Sequence, residues 1–83
     1  MNFHGRYFET VMGSDVQRDG MFLDLREIGG KDCAEVFYSD VRHECTVTMF
    51  ESSLPVEALA WLINEARSRL PARDAIENGD APL

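Results

Sequence analysis

The sequence predicts an α+β domain over residues 1–70: a four-stranded antiparallel β-meander with one C-terminal amphipathic helix packed on one face, ββββα in two layers. Two observations carry this. The first fifty residues alternate between segments rich in aromatic and β-branched side chains and short stretches of turn formers, whereas residues 56–70 repeat apolar side chains at helical spacing. A sheet with one apolar face needs a cover, and this helix is the segment of the chain able to supply it.

The predicted strands are FHGRYFETVM (3–12), MFLDLREI (21–28), CAEVFYS (33–39) and HECTVTMF (43–50). Between them lie GSDVQRDG, GGKD and DVR, connections short enough to favour hairpins between sequential strands. Residues facing each other across a ladder share a face, so the hairpins can be tested against one another. Folding the second hairpin about residues 29–32 sets Leu25 opposite Val36 and Leu23 opposite Tyr38. Folding the third about Asp40 and Val41 sets Val36 opposite Cys45 and Ala34 opposite Val47. One face then collects Met21, Leu23, Leu25, Ala34, Val36, Tyr38, Cys45, Val47 and Met49 as the core side. The other collects Phe22, Asp24, Arg26, Ile28, Cys33, Glu35, Phe37, Glu44, Thr46, Thr48 and Phe50, three phenylalanines among charges and threonines. In the first strand two alternations compete, and the reading adopted here turns Tyr7 and Val11 inward.

The helix has marked ends. Ser52 and Ser53 offer N-caps, Pro55 suits a first turn that needs no N–H, and Glu57 favours the positive pole of the dipole. Arg67 and Arg69 complement the other pole, and Pro71 stops the helix. At 100° per residue, Leu59, Leu62, Ile63, Ala66 and Leu70 form the stripe that covers the sheet, while Trp61 falls about 160° from its centre. Residues 71–83, PARDAIENGDAPL, combine low apolar content with two prolines and a glycine and are expected to be a disordered tail.

Fifteen acidic side chains against eight basic ones give a net charge of −7, and 45% of the residues are apolar. That is enough to fold a small body, with a thin core. The basic side chains are scattered among carboxylates, a poor match to a phosphate backbone, so nucleic acid and membrane are not expected as partners. The opening MNFHGRYFET lacks the basic start and apolar run of a secretory signal, and Cys33 and Cys45 form no close-spaced pair. A reducing cytoplasm is the expected location.

No motif carries chemistry. His4, Cys33, His43 and Cys45 are zinc-competent, but the predicted register puts Cys33 on the face opposite Cys45, so no metal site is expected. Cys45 beside His43 offers a thiolate and an imidazole at roots about 7 Å apart, too far for a direct hydrogen bond. Asp24 and Glu35 are neighbours on the mixed face, where Arg26 is expected to compensate them. Gly29 and Gly30 precede a strand rather than a helix N-terminus, so they make no phosphate loop. No catalytic residue, metal or cofactor is expected.

Two surfaces remain as candidate interfaces. One is the aromatic face with Phe22, Phe37 and Phe50; the other is the outer helix face with Trp61, flanked by Glu57, Asn64 and Ser68. The ββββα arrangement resembles that of single-stranded-DNA-binding transcription cofactors and of some small bacterial toxin-immunity proteins. The likeness is one of architecture alone and brings no site residue with it. The leading expectation is a small acidic, non-enzymatic interaction module. It would self-associate as a homodimer or bind a more basic protein, in an inhibitor- or immunity-like role. A single-stranded nucleic-acid-binding domain using the aromatic face is the first alternative, and a small enzyme with its site at a dimer interface the second.

Overall fold

The computed structural model describes residues 1–70, and the predicted tail 71–83 lies outside the described residues. Five strands form one antiparallel sheet in sequence order: β1 (Asn2–Phe3), β2 (Arg6–Asp15), β3 (Gly20–Glu27), β4 (Lys31–Ser39) and β5 (Glu44–Met49). One helix, α1 (Val56–Arg69), follows and packs on β3 and β4. The α+β meander stands, with one strand more than expected. The extra strand arises because the first predicted segment breaks at His4 and Gly5, whose φ values are 56° and 81°. Asn2 makes that break, its Oδ1 accepting the Gly5 N–H at 3.0 Å in an Asx-type turn.

Both hairpin registers differ from the expected ones by two residues. Leu25 faces Ala34 and Leu23 faces Val36; across the next ladder Val36 faces Val47 and Tyr38 faces Cys45. The third hairpin closes through residues 40–43, with the His43 N–H donating to the Ser39 carbonyl at 2.8 Å. A slip of two by itself moves no side chain to the other face, because the side-chain period of a strand is two. Leu23, Leu25, Ala34 and Val36 are accordingly buried, Met21, Tyr38, Cys45 and Val47 pack at their border, and Met49 stands 43% exposed beyond the helix.

The β2 side chains and Cys33 depart from the expected faces. In β2 the alternation runs the other way: Phe8 is 1% exposed and Tyr7 56%, and Val11, expected inward, stands opposite Asp24 on the outer face. The register explains it, since Thr10 pairs with Leu25 and Met12 with Leu23, so the even-numbered residues of β2 lie on the helix side of the sheet. Cys33 is the other departure. Leu25 pairs with Ala34 but Arg26 with Asp32, so Cys33 is the extra residue of a β-bulge and turns into the core.

The helix begins without a side-chain cap: Pro55 takes the N-cap position, and the Ala58 N–H reaches its carbonyl at 3.0 Å. Its buried ridge is Ala58, Leu62, Ala66 and Leu70, at successive spacings of four. Relative to the expected stripe the contact is rotated toward Ala58, because alanines at 58 and 66 allow close approach to the sheet while Leu59 and Ile63 move to the flank. Trp61 moves to the opposite flank and is half-buried. Burying Phe8, Leu62 and their neighbours contributes about 1.5 to 3 kcal/mol per large side chain.

Candidate functional site

The outer face of the sheet, away from α1, is organised by two glycines. Phe22 and Phe37 stand opposite each other on β3 and β4, and each ring lies over a glycine of the preceding strand: Phe22 over Gly13, Phe37 over Gly20. A Cβ on Gly13 would come within 2.6 Å of the Phe22 ring; one on Gly20 would come within 2.5 Å of Phe37 and 2.0 Å of the Tyr38 carbonyl. Arg18 covers Phe37 from above, its guanidinium carbon 4.2 Å from the ring centroid. The same guanidinium binds Asp15 and donates to Glu35 Oε1 at 2.9 Å.

Beside the rings lies a row formed by Val11, Asp24, Glu35 and Thr48. Asp24 and Glu35 are direct cross-strand neighbours, as expected, but the compensation is not. Arg26 pairs instead with Asp32 at 2.9 Å, and Arg18 serves Glu35. Asp24 is left facing a carboxylate, with its Oδ1 buried and without a donor among the described residues. Burial first, and then the hydrogen bond and charge of Glu35, push its carboxyl up to about 7. Where β2 turns into β3, Ser14, Asp15, Val16, Asp19, Gly20, Met21 and Asp40 line an open depression of about 340 Å³, whose carboxylates would repel an anionic ligand.

At the other end of the sheet, Arg6 holds two carboxylates at once. It forks onto Glu27, with Nη2 to Oε1 at 2.8 Å and Nε to Oε2 at 3.1 Å, and Nη2 also meets Glu51 Oε1 at 2.8 Å. Arg6 holds the Glu27 carboxyl below its usual range, and the Cys33 thiol first and then Arg6 do the same for Glu51. The Cys33 thiol lies alongside and is pushed up by burial and by Glu51. Ligand atoms of Glu27, Cys33 and Glu51 fall within 4.8 Å of one another, the one such grouping among the described residues. Arg6 forks onto Glu27 and takes Glu51 Oε1, which makes the grouping an ion-pair cluster, with Glu51 Oε2 buried and without a hydrogen-bond partner among the described residues. The four zinc-competent residues singled out in the sequence are engaged separately: His4 Nε2 meets Glu57 at 2.8 Å, His43 Nδ1 meets the Tyr38 hydroxyl at 3.2 Å, Cys33 is in the core and Cys45 lies on β5. Burial raises the Cys45 thiol as well.

The candidate interface residues are likewise distributed. Trp61 packs on Phe3, with ring centroids 6.2 Å apart, and Phe3 in turn meets Phe8 at 6.3 Å. This aromatic stack ties β1 to the helix flank. Glu57 is held by His4, Ser68 donates to the Glu65 carbonyl, and Asn64 is exposed. Phe50 is 55% exposed and sits just past β5, apart from Phe22 and Phe37, whose cross-strand partner on β5 is Thr46.

One surface is not evident from the sequence: the outer edge of β5, which has no strand partner among the described residues. The Phe50 N–H donates to the Cys33 carbonyl at 2.9 Å, and one strand away the Asp40 N–H donates to Asp19 at 2.8 Å. Hydrogen-bonded pairs alternate in an antiparallel ladder, so Glu44, Thr46 and Thr48 turn their backbone groups toward β4. Cys45, Val47 and Met49 turn theirs outward. Only Glu44 carries a charge on this strand, and no proline interrupts it. At the opposite edge β1 covers the start of β2, and the remainder carries Glu9, Gly13 and Asp15. The signal in the sequence was the low charge of ECTVTM, readable as an edge only once the strand order was known.

No known protein family, curated protein or solved structure matches the chain. Among the described residues no helix is long and apolar enough to cross a membrane.

Proposed function

We propose that the chain is a small acidic protein-interaction module, binding a protein partner or a second copy of itself, and that the open edge of β5 is its working surface. The observation that carries this reading is the six-residue edge itself, with three residues presenting N–H and C=O groups that have no backbone partner among the described residues, and exposed Met49 and Phe50 at its end. At the two surfaces expected from the sequence a central ring is already packed within the chain: Trp61 rests on Phe3, and Phe37 lies between Gly20 and Arg18. The groups around Phe22 and Phe37 are Asp15, Asp24 and Glu35, with Arg18 bound to two of them, which favours a protein ligand over a phosphate backbone. Binding without catalysis fits an open site of this kind, and an inhibitor- or immunity-like role is one form of it. Two free thiols fit a reducing compartment such as the cytoplasm.

The test is a titration of isotope-labelled protein with short strand-forming peptides, neutral and basic. The backbone resonances of Cys45, Val47 and Met49 are expected to shift, and Val47→Pro, which deletes an outward N–H while leaving the β4 ladder intact, abolishes the response. Peptide binding that leaves β5 unmoved would overturn the assignment of the surface.

A further inference from the structure

We infer that the occupant of the β5 edge is the β5 strand of a second copy, paired antiparallel about a two-fold axis through Val47; this rests on the open-edge reading above. Three features of the strand select that register. First, a two-fold axis perpendicular to the sheet keeps both helices on the same side, so residues opposed across it must share a face, and the axis must pass through a residue rather than between two. Second, only Cys45, Val47 and Met49 point their backbone groups outward, and an axis at Thr46 or Thr48 would pair just two of the three with one another, so the register that engages them all has its axis at the middle one. Val47 alone centres the strand: it pairs with itself, Cys45 with Met49 of the other copy and Met49 with Cys45, using all the outward N–H and C=O groups.

Third, charge agrees with backbone. Two chains of net charge −7 repel, and they meet most easily where charge is lowest. β5 has only Glu44, at its end and already held by Arg42 at 3.1 Å. The Val47 register sets Glu44 opposite Phe50 of the second copy, away from its own equivalent, and sets Thr46 opposite Thr48. On the helix side it joins the strips of Cys45, Val47 and Met49 into one apolar band, covering the exposed Met49.

The helices leave room. Because α1 lies over β3 and β4, its axis is about 7 Å from β5, and pairing adds about 5 Å, so the two helix axes stand about 19 Å apart, clear of the 8–10 Å of helices in contact. Pairing β5 with β2 of another copy would instead make an open, growing sheet, and β2 is the less suitable edge, carrying Glu9, Gly13 and Asp15.

The experiment is light scattering on the full chain from low micromolar to millimolar concentration, with two variants at exposed positions. Wild type is expected to pass from the 9.4 kDa chain to twice that mass and no further. Thr46→Lys with Thr48→Lys sets lysine against lysine at both positions and weakens association about 10-fold or more, whereas Thr46→Glu with Thr48→Lys sets opposite charges together and associates at least as tightly as wild type. Far-UV circular dichroism verifies the fold of each, and Val47→Pro replaces the lysine pair should that variant lose its sheet. A single-chain mass at every concentration, a mass that keeps growing, or two charge variants that behave alike overturns the inference. A single-chain protein whose Cys45, Val47 and Met49 resonances still respond to strand-forming peptides leaves the open-edge reading standing; one whose β5 responds to neither refutes both.

Discussion

Replacing Asp24 by asparagine tests the unusual carboxyl pair on the outer face. The raised ionisation has a definite linkage sign: Asp24 keeps its proton in the folded state up to about 7 but loses it near 3.8 when unfolded. Between those values the folded chain binds more protons, so this group's contribution to stability is complete below about 3.8 and declines as pH rises through 7. The full shift of roughly 3 pH units corresponds to a ceiling of about 4 kcal/mol. Asp24 is half-buried and Glu35 is neutralised by Arg18, so solvent and the guanidinium reduce the effect to about 1–2 kcal/mol. Asparagine keeps the shape, can donate to Glu35 and cannot ionise. Asp24→Asn is therefore expected to be more stable than wild type by about 1–2 kcal/mol at pH 8 and about equal to it near pH 4, which in urea denaturation is a midpoint gain of about 1 M at pH 8. Urea is the denaturant to use, because guanidinium chloride would screen the pair. A stability difference that is constant across pH, or that grows toward acid, would refute the assignment of the proton to this pair.

Two other perturbations have worked outcomes. A double-mutant cycle of Phe3→Ala and Trp61→Ala is expected to give a coupling of about 0.5–1.5 kcal/mol, with Phe3→Ala alone shifting Trp61 fluorescence to the red; additive effects and unshifted emission would contradict the stack. Gly20→Ala forces a methyl onto the Tyr38 carbonyl and is expected to cost about 3 kcal/mol or more, whereas Gly13→Ala meets only the edge of the movable Phe22 ring and costs about 1 kcal/mol, the order being checked by thermal denaturation.

The α+β class was legible because two periods, near two in the first fifty residues and near 3.6 in residues 56–70, survive local error. A hairpin misregister of two left Leu23, Leu25, Ala34 and Val36 on the correct face. What the alternation could not carry was any feature that interrupts it. The Asx-type turn at Asn2 to Gly5 split the first strand, and the bulge at Cys33 carried a residue from the outer face to the core. Phe8 against Tyr7 was undecidable from β2 alone, since both alternations are apolar, and only the pairing of Met12 with Leu23 resolves it. The helix face was displaced because angular counting weighs Leu59 and Ile63 by hydrophobicity, while packing favoured the small side chains of Ala58 and Ala66. For the candidate site, the adjacency of Asp24 and Glu35 was readable but the partner was not: Arg18 reaches Glu35 from the β2–β3 turn, whose path no spacing rule gives. The β5 edge, a property of strand order, was beyond any single segment.

Amide hydrogen exchange across β5 as a function of protein concentration is the direct probe of the two-fold assembly. Thr46 and Thr48, whose N–H groups face β4, are expected to be protected throughout, while Cys45, Val47 and Met49 exchange rapidly in dilute solution and become protected together as concentration rises. If those three amides exchange at the same rapid rate at every concentration, the β5 edge does not pair with a second copy and the inferred two-fold assembly is wrong.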